Sequence, residues 1–252
     1  LSAMPNQRSL AVSKFRGSGF SEGQHTVRLT ETGMKVYEHL VPDKHHKSFK
    51  AESLSSGNSG IDTLTGGGIA RGTIALLTGP SGVGKTSLGA QFMREAALRG
   101  ERSVIFSFEE RIETLQFRCR SIGIPLDDII AQGKLLVREI EPLRFGPNEF
   151  AWEVRREVEE NGAQIVMIDS LAGYRQSVQG DDDITRHIHA LCRYLGNMGV
   201  TVILVNELTT ISGGAVKVSD FGISYLADAV VMMRYIEHDG MLGKSIGMIK
   251  KR

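Results

Sequence analysis

Gly79-Pro80-Ser81-Gly82-Val83-Gly84-Lys85-Thr86 is the stretch that decides how this chain reads. It fits G-x-x-x-x-G-K-[ST], and its surroundings suit the pattern. Residues 73–78 form a short apolar strand candidate before it. Residues 87–99 form a helix candidate after it, stopped by Gly100. In such a setting glycines let successive backbone N–H groups turn inward around a phosphate. The helix beginning near Lys85 brings the positive end of its dipole to the same anion. Lys85 supplies a point charge for the β- and γ-phosphates, and Thr86 offers a hydroxyl to Mg²⁺. Ser81, Gly82, Val83, Gly84, Lys85, Thr86 and Ser87 are therefore the expected cradle for ATP or ADP. A chance Gly-rich turn is the competing reading, and the strand-then-helix context argues against it.

A P-loop needs a second Mg²⁺ partner. The apolar residues 165–168 end in Asp169, the usual form of that partner, acting through metal-bound water because Mg²⁺ keeps several waters. Ser107-Phe108-Glu109-Glu110 closes another strand candidate, residues 103–108. A carboxylate there can polarise the water that attacks the γ-phosphate. Equally, both glutamates can cap the helix that follows, and the residues alone leave these readings open. Asn206-Glu207 closes residues 200–205, where polar residues can cap a loop.

The rest of the chain from Gly66 to Gly240 alternates in the same way. Helical stretches are expected at residues 112–121, at 150–160 with Phe150, Val154 and Val158 at four-residue spacing, and at 184–195. Asp181, Asp182 and Asp183 open the last of these and read as a solvated cap, not a metal site. A strand is expected at 134–138, and residues 229–236 and 242–250 pair as a hairpin about Asp239-Gly240. The expected fold class is α/β. A mostly parallel twisted sheet is flanked by helices, with an antiparallel hairpin at one side and the ligand beyond the carboxyl ends of the strands.

Composition agrees. The 252 residues are 41% hydrophobic and 23% charged, as for a soluble globular chain. The 29 glycines exceed the usual share, which suits tight turns and backbone-lined ligand sites. A net charge of +1 gives no electrostatic case for nucleic acid or a membrane. Apolar runs are too short to span a bilayer and no signal peptide shows, so a cytoplasmic location is expected. Cys119 and Cys192 match no metal spacing and read as buried thiols.

Residues 1–4 read as a cloning leftover, and residues 41–52 as a basic, polar linker in which His45 and His46 are not ligands. Between them, Leu10-Ala11-Val12-Ser13-Lys14-Phe15-Arg16 weakly repeats Ile246-Gly247-Met248-Ile249-Lys250-Lys251-Arg252. Residues 27–30 are a strand candidate before the turn Glu31-Thr32-Gly33.

Taken together, these motifs resemble the RecA-like P-loop ATPases, and most closely the KaiC family. The resemblance rests on the P-loop, Ser55-Ser56-Gly57, Ile61-Asp62-Thr63-Leu64, Gly66-Gly67-Gly68, Glu109-Glu110, Asp169-Ser170-Leu171, Ala227-Asp228 and the closing Lys-x-Arg, over residues 53–252. It implies that residues 5–40 are the tail of a preceding KaiC-like domain and 53–252 most of a second ATPase domain. On this basis the N-terminal tail is expected to take the C-terminal tail's place, in its own or a neighbouring subunit. The resemblance further implies a homo-oligomeric ring, a hexamer, with regulatory protein partners. Glu109 or Glu110 becomes the activating carboxylate, and Lys250 and Arg252 reach the γ-phosphate of an adjacent subunit. Ser224 matches the first of two neighbouring phosphorylation positions and Tyr225 the second; Tyr225 departs from the family's Thr, which puts a two-site cycle in doubt. Ser219 falls on a nearby hydroxyl position, Arg175 on a coupling or interface position that a solvated loop arginine fits equally, and Asn206-Glu207 where RecA-type folds place a polar γ-phosphate sensor. The rivals are a DNA-acting motor, against which the charge argues, and a nucleotide-gated scaffold without turnover.

Overall fold

Strands that are apolar on both faces need cover on both faces. Residues 75–77, 104–106, 166–168 and 203–205 are such runs, and each is sealed from solvent. The structure, a computed structural model, describes residues 8–142, 144–177, 181–208 and 223–251. Three short strands come first: β1 (Arg8–Leu10), β2 (His25–Thr30) and β3 (Gly33–Tyr37). A two-residue ladder of β4 (Ser53–Leu54) with β5 (Ile69–Ala70) encloses α1 (Ser59–Leu64). The main run then follows as β6 (Ile74–Gly79), α2 (Lys85–Leu98), β7 (Arg102–Ser107), α3 (Ile112–Ser121), α4 (Asp127–Ala131), β8 (Leu135–Glu139), α5 (Pro147–Glu159) and β9 (Ala163–Asp169). It closes with α6 (Leu171–Arg175), α7 (Asp181–Asn197), β10 (Thr201–Glu207), β11 (Ala229–His238) and β12 (Met241–Lys251).

The main sheet has seven strands in the order β12-β11-β6-β10-β9-β7-β8. The six from β11 to β8 are parallel, and β12 runs antiparallel to β11. This is the expected RecA-like α/β sheet. The hairpin adds one antiparallel strand, not two, because β11 itself pairs parallel with β6. Helices α2 and α3 cover one face through Leu88, Phe92, Met93, Leu115 and Cys119. Helices α5, α6 and α7 cover the other through Phe150, Val154, Tyr174, Ile188 and Leu195. The four-residue spacing in α5 is thus its sheet-facing stripe. Both cysteines are buried and reduced, and burial pushes their thiols up, to about 11 at Cys119 and about 12 at Cys192.

Three expectations are corrected. The N-terminal strands do not continue the main sheet within this chain. They form their own three-stranded antiparallel sheet, docked on α5. Tyr37 meets the Trp152 ring edge-on at 5.8 Å, Arg28 pairs with Glu149 at 2.7 Å, and Asn148 donates to the Gln24 carbonyl. Tyr37 and Leu40 are buried in this arrangement. The stretch after them is not a free linker. Lys47 N–H bonds to the Asn197 carbonyl, His45 packs on Tyr194 and pairs with Glu159, and Phe49 lies over Gly72 and Gly199. Lastly, Asp181–Asp183 lie within α7, not ahead of it. No helix of the described residues is long and apolar enough to cross a membrane.

Candidate functional site

The strand order sets β6, β10, β9 and β7 side by side and parallel, so four strand ends meet at one edge. They deliver the P-loop, Asn206-Glu207, Asp169-Ser170 and Glu109-Glu110. In the P-loop, Gly82 and Gly84 adopt φ of 73° and 116°, a region that disfavours side chains. At Gly79 a Cβ would stand 2.3 Å from the Met233 carbonyl oxygen, so the loop can pass there only as glycine. Lys85 is buried, and its ammonium donates to the carbonyls of Gly79 (2.9 Å) and Pro80 (2.8 Å). Burial pulls its pKa down, against the opposing pull of Glu207, Asp169 and Glu109.

Asp169 is perturbed by the same surroundings. Burial pushes its carboxyl up, to about 6; a hydrogen bond from the Thr86 hydroxyl and the Lys85 charge oppose this, while Glu109 and Glu110 add to it. Thr86, Asp169, Glu109, Glu110, Arg111 and Thr114 line one cavity of about 400 Å³. The two expected metal partners, Thr86 and Asp169, therefore touch at its floor. Their oxygens suit a hard cation, as does the crowding of carboxylates around them. Among the described residues no three His, Cys, Asp or Glu are grouped to hold a metal alone. A Mg²⁺ ion here would lean on nucleotide phosphates.

The capping alternative for the glutamates is not what the structure shows. The first N–H of α3, at Ile112, is capped by Glu139 Oε1 at 2.9 Å. Glu109 Oε1 accepts instead from the Ser170 hydroxyl, and Glu110 is gripped by Arg118 through both carboxylate oxygens. Ser107 Oγ fixes the turn between them by donating to the Glu110 carbonyl at 2.6 Å. Asn206 is fully buried and donates to Thr78 Oγ1, so of that pair only Glu207 faces the site.

A second cavity, about 540 Å³, adjoins the P-loop on its other flank. Its apolar lining includes Ile61, Ile122, Ile124, Met233 and Ile246, with Gln91, Lys244 and Ser87 as polar members. Size and character suit a nucleoside. Tyr235 and Lys244, cross-strand partners in the hairpin, donate to the P-loop carbonyls of Ser81 (3.1 Å) and Gly82 (2.9 Å). Sequence reading missed Ser170, Arg118, Tyr235 and Lys244. Only the hairpin register gave a signal, since it sets Tyr235 opposite Lys244.

Other expected residues lie elsewhere. Lys250 is paired with Val230, which aligns with Leu76 in β6, and its ammonium donates to the carbonyls of Ser224 and Ala227. Ser224 and Tyr225 share a 3-10 turn (Ile223–Tyr225) just before Asp228, whose N–H bonds to the Ile74 carbonyl. Lys250 and Ser224 thus sit together at the amino end of β6, opposite this chain's own P-loop. Arg175 ends α6 with its side chain exposed. Arg252 and Ser219 lie outside the described residues. The Ser55-Ser56-Gly57 lead-in is structural: Asp62 accepts from Ser55 Oγ, Ser56 N and Ser56 Oγ at 2.5–2.8 Å.

A P-loop at the end of a central parallel strand, with the Asp169 carboxylate at the end of the next strand but one, fits a RecA-like P-loop ATPase domain. Comparison narrows this: the KaiC ATPase family model matches residues 54–252, and the chain belongs to that family. It is 26% identical to the circadian clock oscillator protein KaiC of Picosynechococcus sp. over 246 residues, 98% of this chain and 47% of that protein. Against the protein of the same name from Synechococcus elongatus it is 24% identical, with the same coverage. Against that of Prochlorococcus marinus it is 25% identical over 252 residues, 100% of this chain and 50% of the relative. The chain spans about half the length of the curated relatives it matches.

Proposed function

We propose that this domain binds ATP with Mg²⁺ and hydrolyses it at a site shared between copies in a KaiC-like ring. One observation carries the reading: Thr86, Asp169 and Glu109 line one cavity at the P-loop, with buried Lys85 beneath. Backbone N–H groups of residues 81–86 and the Lys85 ammonium bind the phosphates. Thr86 and Asp169 hold the ion, which supplies charge neutralisation of the phosphates when bound. A glutamate of the Glu109-Glu110 pair orients the attacking water and accepts its proton. Lys250 and Arg252 act on a neighbour's γ-phosphate, a role that the distance of Lys250 from this chain's own P-loop supports. By the same geometry, phosphorylation of Ser224 would take place between copies. Residues 5–40 are the tail of a preceding domain, and 53–252 the ATPase domain proper. A regulatory role in signalling or timing, with protein partners, rests on the names of the relatives.

The test is incubation with Mg²⁺ and ATP labelled at the γ-phosphate, separating protein-bound label from free phosphate. Wild type is expected to release phosphate and Lys85→Ala to release none. Label on the protein that is lost in Ser224→Ala adds the autokinase activity. ATP-driven assembly without either product overturns hydrolysis in favour of a nucleotide-gated scaffold.

A further inference from the structure

We propose that Arg118 is a positioning residue that divides the Glu109-Glu110 pair, holding Glu110 as a strut to the P-loop helix and leaving Glu109 to take the proton of the attacking water. This rests on the hydrolysis proposed above. There the water oxygen bonds to the γ-phosphorus as the bond to the β,γ-bridging oxygen breaks. ADP leaves with that electron pair, and one water proton passes to a carboxylate.

Arg118 lies in α3, and its guanidinium makes three contacts. Nε donates to Glu110 Oε1 at 3.1 Å, Nη2 to Glu110 Oε2 at 2.5 Å, and Nη1 to Ser87 Oγ at 3.1 Å. A fork of this kind occupies both oxygens of a carboxylate in one fixed plane. Its third contact falls on the first turn of α2, so Glu110 is tied through Arg118 to the helix that begins with Lys85 and Thr86. Glu109 is held differently. One oxygen accepts from Ser170 Oγ, which is itself fixed as the cap of α6 by the Gly173 N–H at 3.3 Å. Among the described residues no side chain is recorded on the other oxygen. Glu109 thus has an oriented carboxylate with an acceptor to spare, beside Asp169 in the cavity. The adjacent residue has its two oxygens spent.

Arg118 also cancels a charge. Without it, Glu110 would stand as an unpaired carboxylate in a cavity that already holds Glu109 and Asp169. Removing Arg118 should therefore do more harm than removing the charge it pairs with, and removing both should do less.

Phosphate release and ATP affinity are measured in the full chain for wild type, Glu109→Gln, Glu110→Gln, Arg118→Met, Arg118→Lys and the double variant Arg118→Met/Glu110→Gln. Glu109→Gln should lower kcat by about 10²- to 10⁴-fold, the range for a lost general base. Glu110→Gln should lower it by about tenfold or less. Arg118→Met should fall below Glu110→Gln, Arg118→Lys should recover part of the loss, and the double variant should return to the Glu110→Gln level. Calorimetric ATP affinity should stay within about threefold throughout, placing the effects in kcat. A merely structural role for Arg118 would not be suppressed by a second substitution. Glu110→Gln as damaging as Glu109→Gln, or additive losses in the double variant, overturns the division while hydrolysis stands. ATP binding by wild type with no phosphate release removes hydrolysis, and the division falls with it.

Discussion

Replacing Asp169 by Asn should stabilise the nucleotide-free protein, and only above mildly acidic pH. The Asp169 carboxyl is raised from 3.8 to about 6, chiefly by burial. Its proton is held more tightly in the folded chain than in the unfolded one. The group therefore costs nothing below about pH 3, where both states are protonated, and its cost grows as pH rises from there through 6. Roughly two units at 1.36 kcal/mol each gives about 3 kcal/mol at pH 7.5 as a ceiling, because the cavity lets water reach the carboxyl. Asparagine keeps an acceptor for Thr86 and carries no charge. Urea unfolding of both proteins from pH 3 to 8 should show curves that coincide near pH 3, with Asp169→Asn ahead by up to about 3 kcal/mol at pH 7.5. With Mg²⁺ and ATP the order should reverse, because wild type gains stability by mass action from a ligand the variant binds poorly. A difference that does not change with pH, or a less stable variant at pH 7.5 without nucleotide, would refute the reasoning.

Lys85→Ala should weaken ATP binding by at least about 100-fold, since it removes the buried ammonium held inside the phosphate loop; unchanged calorimetric affinity would contradict the P-loop assignment. Gly173→Ala places a Cβ 2.4 Å from Phe108 Cβ and should cost about 1–3 kcal/mol in urea unfolding. Because Phe108 precedes Glu109, phosphate release should fall more than stability alone explains. Trp152 is the sole tryptophan, so its fluorescence reports the docking of the N-terminal sheet. Tyr37→Ala should shift that emission to the red at native temperature and expose residues 8–40 to proteolysis, while ATP affinity stays as in wild type.

The fold was legible where a segment carries its own pattern. Residues 165–168 are apolar throughout because both sheet faces are covered, and the P-loop announces itself by glycine spacing. The positions of the candidate residues were legible in the same way: Lys85 and Thr86 open the helix after β6, and Asp169 and the glutamate pair come at or just after strand ends. What stayed hidden depends on distance in sequence. The division of Glu109 from Glu110 is set by Ser170 and Arg118, contacts that no periodicity encodes. The linker looked free because its residues are polar, yet it is strapped down by backbone bonds and by the rings of His45 and Phe49. The resemblance led the tail to be expected in the place of a C-terminal tail, but it does not say which surface the tail meets within this chain; Asn148, Glu149 and Trp152 on α5 decide that.

The placement of β12 bears on how such a site can be completed. Strand β11 aligns Val230 with Leu76, and β12 aligns Lys250 with Val230. Leu76 is three residues short of Gly79, about 10 Å along a strand, and Lys250 turns its ammonium away from that end, onto the carbonyls of Ser224 and Ala227. Its neighbour Lys251 is anchored as well, to the carbonyls of Thr65, Gly66 and Gly68. A strand fixed on both sides in this way cannot swing its basic end over its own phosphate loop without breaking the ladder with β11. If Lys250 serves a γ-phosphate, it belongs to another copy, and Ser224, held at the same end by Lys250, is likewise remote from this chain's own loop. The glycine-rich turn 66–68 then has a purpose its spacing alone does not reveal. By accepting Lys251 it aims the end of β12 outward, and a Cβ at Gly66 would already stand 3.1 Å from that ammonium.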